Sequence, residues 1–208
     1  MRRRRLFDRL GGTMPALSIA SCRFRQVSGT SDPDRDAFVD AYAGIADVDS
    51  LVWVYRGGDI ADTLWEGNAT YFIRVVRAPP NGQMAGLVCC HPLVANVEPR
   101  VHAWIRGHDL PFSAEEAAVI SCLQVRQGFR GSGIGMSLAY DAIRWARHSG
   151  FTRFLLQAPI SIARKPDGLC FRICARQVAR LRGHDEPNGI VLLHGLVSDA
   201  LACDECNH

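Results

Sequence analysis

The chain has 208 residues, 48% of them hydrophobic, so a single domain can bury a full core without disulfides or a structural metal. Its formal charge of +3 arises at the N-terminus, where five arginines and one aspartate among the first ten residues contribute +4 and leave −1 for the rest. This near-neutral body excludes a nucleic-acid-binding domain as the main function, because such a domain gathers Lys and Arg into a patch on its body.

The eight cysteines are scattered through apolar runs, so we expect reduced, mostly buried thiols in a cytoplasmic protein rather than a disulfide framework. No stretch approaches the ~20 apolar residues of a membrane span. An arginine cluster followed by Ile-Ala-Ser-Cys22 resembles a bacterial lipoprotein signal, but Asp8 and a glycine pair interrupt the apolar region that export requires. We therefore predict one domain over residues 14–208, with residues 1–13 either a disordered head or sequence ahead of a start at Met14.

The first half of the chain predicts a strand, a helix and a β-hairpin. Alternating residues predict a strand over 17–27, and a Ser-Asp-Pro sequence then precedes a helix over 34–45. Residues 46–68 are ambiguous between strand and buried helix. Two apolar runs, over 69–77 and 84–94, flank a Pro-Pro-Asn-Gly turn and predict the hairpin.

In the second half, strands and helices alternate. We predict a strand over 117–125, a helix over 134–148 with an apolar stripe, and a strand over 151–158. A helix over 169–181 and a last strand over 189–197 follow. This alternation predicts an α/β fold.

A glycine-rich loop joins the strand over 117–125 to the next helix. A helix that begins near Gly133 leaves its first main-chain N–H groups without partners, and this end attracts anions. Glycines at this point, with Gly131 and Gly135 beside Gly133, remove the Cβ atoms that would hold a diphosphate away, and Arg130 adds positive charge. The chain has neither the Rossmann Gly-x-Gly-x-x-Gly pattern nor the Gly-Lys-Ser/Thr of a P-loop.

The loop resembles motif A of the GNAT superfamily of acyl-CoA-dependent N-acetyltransferases, whose signature is Gln/Arg-x-x-Gly-x-Gly/Ala after a strand that ends Leu-x-Val. Arg130, Gly133 and Gly135 match the signature, and Leu123 and Val125 stand at the usual distance before it. The resemblance implies the family's fold, a mixed and central twisted sheet with helices on both faces.

The resemblance also implies acetyl-CoA, or another acyl-CoA, as co-substrate and a primary amine as acceptor, with direct transfer between them. No metal, nucleic acid or membrane is implied, and homodimerisation is left open. The pantetheine arm would pair with the main chain of the strand over 117–125, and the pyrophosphate would rest on the loop. Residues 46–68 would shape the acceptor pocket. The residues implied to bind the co-substrate are Leu123, Gln124, Val125, Arg130, Gly131, Ser132, Gly133, Ile134 and Gly135.

The catalytic groups of the family are matched less well. Family members with a carboxylate base often carry it about six residues before the strand-ending valine, and this position is Val119 here. Glu115 is the candidate base in its place, with Glu116, His108 and Asp109 nearby; a merely solvated acid is the alternative. The family's late tyrosine, which protonates the departing thiolate, falls near Cys170, which is either a proton donor or a packed thiol. Because the family's carboxylate and late tyrosine are both absent at these positions, a second hypothesis stays open. The chain would then be an inactive acyl-CoA-binding module that acts as a sensor or partner subunit.

Two further patterns have both structural and functional interpretations. Three arginines repeat every four residues along the predicted helix over 169–181 and form either a solvated face or a contact for the 3′-phosphate of CoA: Arg172, Arg176 and Arg180. Cys122 is expected to be a buried thiol rather than a nucleophile, because no histidine is close to it in sequence.

The C-terminus has metal-like spacing, but a single Cys-x-x-Cys pair is insufficient to predict zinc. The residues concerned are Cys203, Cys206 and His208, with His194 or His184 as a fourth ligand.

Overall fold

The structure, a computed structural model, describes residues 20, 22–27, 33, 71–94, 110, 112–166, 168–182 and 190–205. Several predictions lie outside these residues: the N-terminal head, the helix over 34–45, the ambiguous segment over 46–68 and four single residues, namely His108, Asp109, Cys206 and His208. His184 lies outside them as well.

A seven-stranded sheet forms the centre of the fold, with the strand order β1-β2-β3-β4-β5-β7-β6. Its strands are β1 (Arg23–Val27), β2 (Phe72–Ala78), β3 (Gln83–Pro92), β4 (Ala117–Val125), β5 (Arg153–Pro159), β6 (Arg176–Arg182) and β7 (Ile190–Leu196). The helices are α1 (Ile134–His148), α2 (Ile160–Ala163), α3 (Leu169–Arg172) and α4 (Val197–Glu205). Neighbouring strands are antiparallel except for β4 and β5, which run parallel. The predicted mixed sheet with helices is therefore confirmed.

Helix α1 packs its apolar stripe onto the sheet. Ile134, Leu138 and Ile143 are fully buried in one core cluster with side chains of β2 to β5. Gly86 of β3 permits this close approach, because a Cβ there would lie 2.9 Å from the carbonyl oxygen of Gln124 and 3.0 Å from Cγ2 of Ile134. The helix therefore rests on bare main chain.

The opposite face of the sheet is buried too. Along β4, Ala118 and Ile120 belong to the cluster around α1, whereas Val119, which alternates with them, is equally buried outside that cluster. Leu87 of β3 and Leu155 of β5 follow the same pattern. Burial on both faces explains why the central strands are almost continuously apolar.

The predicted helix over 169–181 is wrong. Helix α3 ends at Arg172, and residues 176–182 form β6, which pairs with β7. The main-chain partners that β7 offers override a local pattern that fits both a helix and a strand. The row of Arg172, Arg176 and Arg180 along one helical face consequently does not exist.

Helix α4 is an element that the sequence analysis did not predict. It directly follows β7, which agrees with the predicted strand over 189–197, and it packs against α1. An ionic chain connects this helix to the sheet. Arg74 of β2 binds Asp141 of α1 at 2.5 Å, Asp141 binds Arg144 at 3.2 Å, and Arg144 binds the buried Asp204 of α4.

Candidate functional site

Strands β4 and β5 separate part-way along their length. They pair at four positions, from Ala117 with Arg153 to Ile120 with Leu156. Beyond this point β5 continues beside β7, and none of the described residues pairs with the β5-facing edge of β4. The gap between residues 121–125 of β4 and residues 157–159 of β5 is called the fork below.

An extra residue in β4 stands where the fork opens. Cys89 of β3 pairs with Cys122 and Cys90 pairs with Ile120, so Ser121 has no counterpart on β3. The hydroxyl of Ser121 donates to the carbonyl oxygen of Cys89 at 3.4 Å. A bulge of this kind bends its strand and increases the local twist, which accounts for the departure of β4 from β5.

Main-chain groups of β4 face the fork at alternate residues. The N–H of Arg126 donates to the carbonyl oxygen of Ala85 at 2.9 Å, so Arg126 faces β3. Because main-chain groups alternate along a strand, Gln124 also faces β3, and Leu123 and Val125 face the fork. The side chain of Arg130 supports this assignment, since its Nε donates to the carbonyl oxygen of Val125 at 3.1 Å.

The loop after β4 uses two left-handed glycines. Gly131 has a φ of 82°, and Gly133, the residue that precedes α1, has a φ of 87°. Glycine adopts this conformation without the steric cost that a Cβ brings. Between them, Ser132 donates its hydroxyl to the carbonyl oxygen of Phe129 at 2.6 Å and closes the turn. The Ser132 side chain is thus engaged within the loop.

The start of α1 presents main-chain N–H groups. Gly133 offers no side-chain cap, and the hydrogen bond from the N–H of Ser137 to the carbonyl oxygen of Gly133, at 3.1 Å, closes the first turn. The N–H groups of residues 134–136 therefore precede the helical ladder and have no partner within α1. The side chain of Ile134 is fully buried, so this residue can contribute only its main chain.

Gly135 brings the helix start close to the fork. A Cβ at this position would lie 3.3 Å from Cγ2 of Val125. Positive charge is present as well, because Arg126 and Arg130 are exposed and residues 121–135 include no acidic side chain. A helix N-terminus with adjacent arginines is suited to bind a diphosphate.

Glu115 lies at the other end of β4. It belongs to a short turn, Ala114–Glu116, ahead of the strand, and it is exposed. The Ser113 hydroxyl binds its carboxylate and holds the pKa of Glu115 below its usual value. The strand from Ala117 to Ser121, about 13 Å of extended chain, separates the turn that holds Glu115 from the start of the fork. The structure therefore does not bring this carboxylate to the fork, and its neighbour Glu116 faces Arg153 at 3.9 Å.

Cys170 lies in α3, beyond the end of β5 that borders the fork. Its side chain is 1% exposed and belongs to the core cluster around α1. Burial raises the pKa of the Cys170 thiol to about 11, so the thiol is protonated at neutral pH. Tyr140 of α1 holds α3 in place by donating its hydroxyl to the carbonyl oxygen of Arg172 at 3.4 Å.

The structure reveals a buried histidine that the sequence analysis missed. His91 of β3 pairs with Val119, the position where the family's carboxylate would stand. Its Nδ1–H donates to the carbonyl oxygen of Pro92 at 2.9 Å, and burial lowers its pKa to about 4, so the imidazole is neutral. Its ring contacts Tyr71 at a centroid distance of 5.4 Å. The sequence did contain one signal, a histidine within an apolar run. Its position opposite Val119, however, depends on how β3 and β4 align.

The thiols of Cys89 and Cys122, a cross-strand pair next to the fork, are buried. Burial raises the pKa of Cys89 to about 12 and that of Cys122 well above its usual value. A thiolate is the reactive form, so these packed thiols do not favour a covalent acyl-enzyme.

The described part of the chain shows neither a candidate metal site nor a candidate membrane helix. No group of three His, Cys, Asp or Glu side chains is placed there to hold a metal ion, and Cys203 lies against Cys174. No helix within the described ranges is long and apolar enough to cross a membrane.

Comparison with known proteins gives a consistent picture. A model of the acetyltransferase (GNAT) family matches residues 45–163. No curated protein matches the chain at a significant level.

Solved structures share the fold at low identity. A GCN5-related N-acetyltransferase from Kribbella flavida is 17% identical, with a TM-score of 0.57, over 86% of this chain and 99% of its own. A spermidine/spermine N-acetyltransferase, SpeG from Vibrio cholerae, is 10% identical, with a TM-score of 0.56, over 89% and 99%. The protein yncA from Salmonella typhimurium, described as an acetyltransferase and solved with its cofactor acetyl-CoA, is 13% identical, with a TM-score of 0.56, over 85% and 94%.

Proposed function

Given that the chain belongs to the acetyltransferase (GNAT) family, we propose that it transfers the acetyl group of acetyl-CoA directly to a primary amine. One observation carries the proposal. The fork exposes an edge of β4 whose open end meets the N–H groups of α1. An extended thioester substrate with a diphosphate at one end requires this combination of an unpaired strand edge and an anion site.

The proposed binding mode assigns a role to each part of the site. The main-chain groups of Leu123 and Val125 pair with the amide groups of the pantetheine arm, as an added strand would. The N–H groups of residues 134–136 receive the diphosphate, and Gly131 and Gly133 keep the approach open. Arg130, held beside Val125, adds charge to the same end. The thioester then lies near Ser121, where the strands meet.

The proposed chemistry relies on positioning. The neutral amine attacks the thioester carbonyl, a main-chain N–H of β4 near the bulge stabilises the developing oxyanion, and the products are an amide and CoA. The amine proton leaves to solvent, because His91 is buried with a pKa of about 4 and Glu115 lies at the far end of β4. Cys170 is the proposed donor of a proton to the departing thiolate, and it then recovers a proton from solvent.

Two measurements on the purified protein test the proposal. Calorimetric titration with acetyl-CoA should show binding, and release of free thiol should accelerate with at least one member of an amine panel. The panel includes amino acids, peptides with a free N-terminus, lysine-containing peptides and polyamines. Polyamines are included because one solved structure with a similar fold is a spermidine/spermine N-acetyltransferase. Absence of acetyl-CoA binding at millimolar concentration would overturn the proposal.

A second function is an acyl-CoA-binding module without transfer activity. The observations that favour it are the valine at position 119, the remote Glu115 and the buried Cys170. Tight binding of acetyl-CoA without thiol release for any amine would select this alternative. A single domain over residues 14–208 and a cytoplasmic location remain part of the proposal for either function.

A further inference from the structure

Two cysteine side chains are in contact between the end of α3 and helix α4. The Sγ atom of Cys174, just beyond α3, lies 3.0 Å from the Sγ atom of Cys203 in α4. Both side chains are partly exposed, whereas four other described cysteines are buried, namely Cys89, Cys90, Cys122 and Cys170. An oxidant in solution can therefore reach this pair more readily than the thiols of the sheet.

The main chain at Cys174 is unusual. Its φ is 55°, which makes it the one residue other than glycine with a left-handed conformation among the described residues. It ends α3, because its N–H donates to the carbonyl oxygen of Phe171 at 3.0 Å and the next N–H, of Ala175, donates to that of Cys170 at 2.9 Å. Glycine or asparagine usually occupies such a position. A cysteine here accepts a steric cost and places its sulfur against Cys203.

We propose that Cys174 and Cys203 are a reversible redox modification site. An oxidant such as hydrogen peroxide or oxidised glutathione removes two electrons and two protons from the two thiols, and a disulfide forms between the Sγ atoms. With peroxide the second product is two molecules of water, and with oxidised glutathione it is two molecules of glutathione. Disulfides of this kind in reducing compartments are usually transient and redox-sensing.

The bond would connect parts of the fold that already touch. Tyr140 fixes α3 to α1 through the carbonyl oxygen of Arg172, and Arg144 fixes α4 to α1 through Asp204. A covalent link from α3 to α4 would directly connect these two helices, each of which already contacts α1. It also closes a chain loop that contains β6 and β7, which reduces the conformational freedom of the unfolded chain and stabilises the folded protein.

The experiment compares the reduced and the peroxide-treated protein. Peroxide should remove two titratable thiols per chain, and peptide mapping without reductant should give one linked peptide that joins Cys174 to Cys203. The melting temperature should rise by roughly 5–10 °C and return after treatment with dithiothreitol. These readouts need no acetyl-CoA, so they are independent of the proposed function.

Matched variants identify the pair. Cys174→Ser and Cys203→Ser should each abolish the linked peptide and the rise in melting temperature, whereas Cys122→Ser, which alters a buried cross-strand cysteine, should retain both. Cys203→Ala provides a second helical variant if serine impairs folding. A link between Cys203 and Cys206, or an unchanged rise in Cys174→Ser, would overturn the proposal.

Discussion

Gly133 and Gly150 stand at the two ends of α1 with the same φ of 87°. A Cβ added at either position meets the same left-handed backbone strain, yet only Gly133 directly precedes the N–H groups proposed to receive the diphosphate. The pair therefore separates a loss of stability from a loss of ligand binding.

We predict that Gly133→Ala and Gly150→Ala each lower the free energy of unfolding by about 1–2 kcal/mol, because both residues must keep a left-handed backbone. Only Gly133→Ala should weaken acetyl-CoA binding, by tenfold or more, which corresponds to about 1.4 kcal/mol. Denaturant titration and calorimetry of the folded variants measure the two quantities. Equal affinities in the two variants would assign the glycine at 133 to helix capping alone. Valine is the less informative substitution at 133, because a β-branched side chain adds further strain to a positive φ.

Arg130 should contribute a smaller and salt-dependent part of the affinity. We expect Arg130→Ala to weaken acetyl-CoA binding by about two- to fivefold at low salt, since an exposed charge beside a phosphate is strongly hydrated. The difference from wild type should shrink as ionic strength rises. Arg130→Lys is the matched control, because it retains the charge but loses the Nε bond to Val125. A loss that is independent of salt would assign the effect to loop geometry.

Glu115→Gln should leave kcat/KM within about twofold of wild type, because this side chain lies in the turn ahead of β4, at the opposite end of the strand from the fork. Cys170→Ala should lower kcat more than Cys170→Ser, since a hydroxyl can still donate a proton where a methyl group cannot. Steady-state thiol release with the best amine of the panel measures both. A drop of a hundredfold in Glu115→Gln would restore this residue as the base, and equal kcat values for Ala and Ser would make Cys170 a packing residue.

His91 should make the protein less stable in acid. Burial lowers its pKa to about 4, whereas the unfolded chain has a pKa near 6.5 for this side chain. Between these values the unfolded state binds more protons, so the free energy of unfolding falls as the pH drops from about 6.5 to 4, by on the order of 3 kcal/mol. His91→Gln should flatten this slope. His148→Gln, which alters an exposed histidine at the end of α1, should retain it, and identical slopes in the two variants would contradict the assignment.

Asp204 should anchor α4. Asp204→Asn removes one of the two carboxylates that Arg144 contacts and leaves Asp141 as the other. We expect the free energy of unfolding to fall by about 1–2 kcal/mol, since Asp204 is buried and Arg144 is partly exposed. Asp199→Asn, an exposed change on the same helix, should stay within about 0.5 kcal/mol. A double-mutant cycle of Arg144→Met with Asp204→Asn should give a coupling of about 1 kcal/mol. Strictly additive effects would show that the contact does not hold the helix.

The sequence predicted best where local chemistry decides the structure. The predicted helix over 134–148 and strand over 117–125 have the observed boundaries, because both are apolar segments and the glycine-rich loop around Gly133 separates them. The helix over 169–181 failed, since pairing of β6 with β7 depends on a partner strand elsewhere in the chain. Helix α4 was missed because no capping signal separates it from β7.

Features of the site that depend on register were beyond the sequence. The extra residue Ser121 and the position of His91 opposite Val119 follow from how the strands align. The contact of Arg74 with Asp141, 67 residues later, likewise follows from how α1 packs on the sheet. Patterns of two or four residues do not encode such alignments. Conversely, the sequence predicted the diphosphate site in the loop after β4, because the glycines of this loop and Arg130 are adjacent in the chain.

The four parallel pairs between β4 and β5 also divide the sheet into two antiparallel parts. Strands β1 to β4 form one part and strands β5 to β7 form the other. Within the described residues, these four pairs are the place where strands of the two parts share hydrogen bonds. A change in the angle between the two parts would leave the hydrogen bonds inside each part unchanged. The width of the fork therefore depends on these four pairs and on α1, which contacts strands from β2 to β5 and so ties the two parts together on one face.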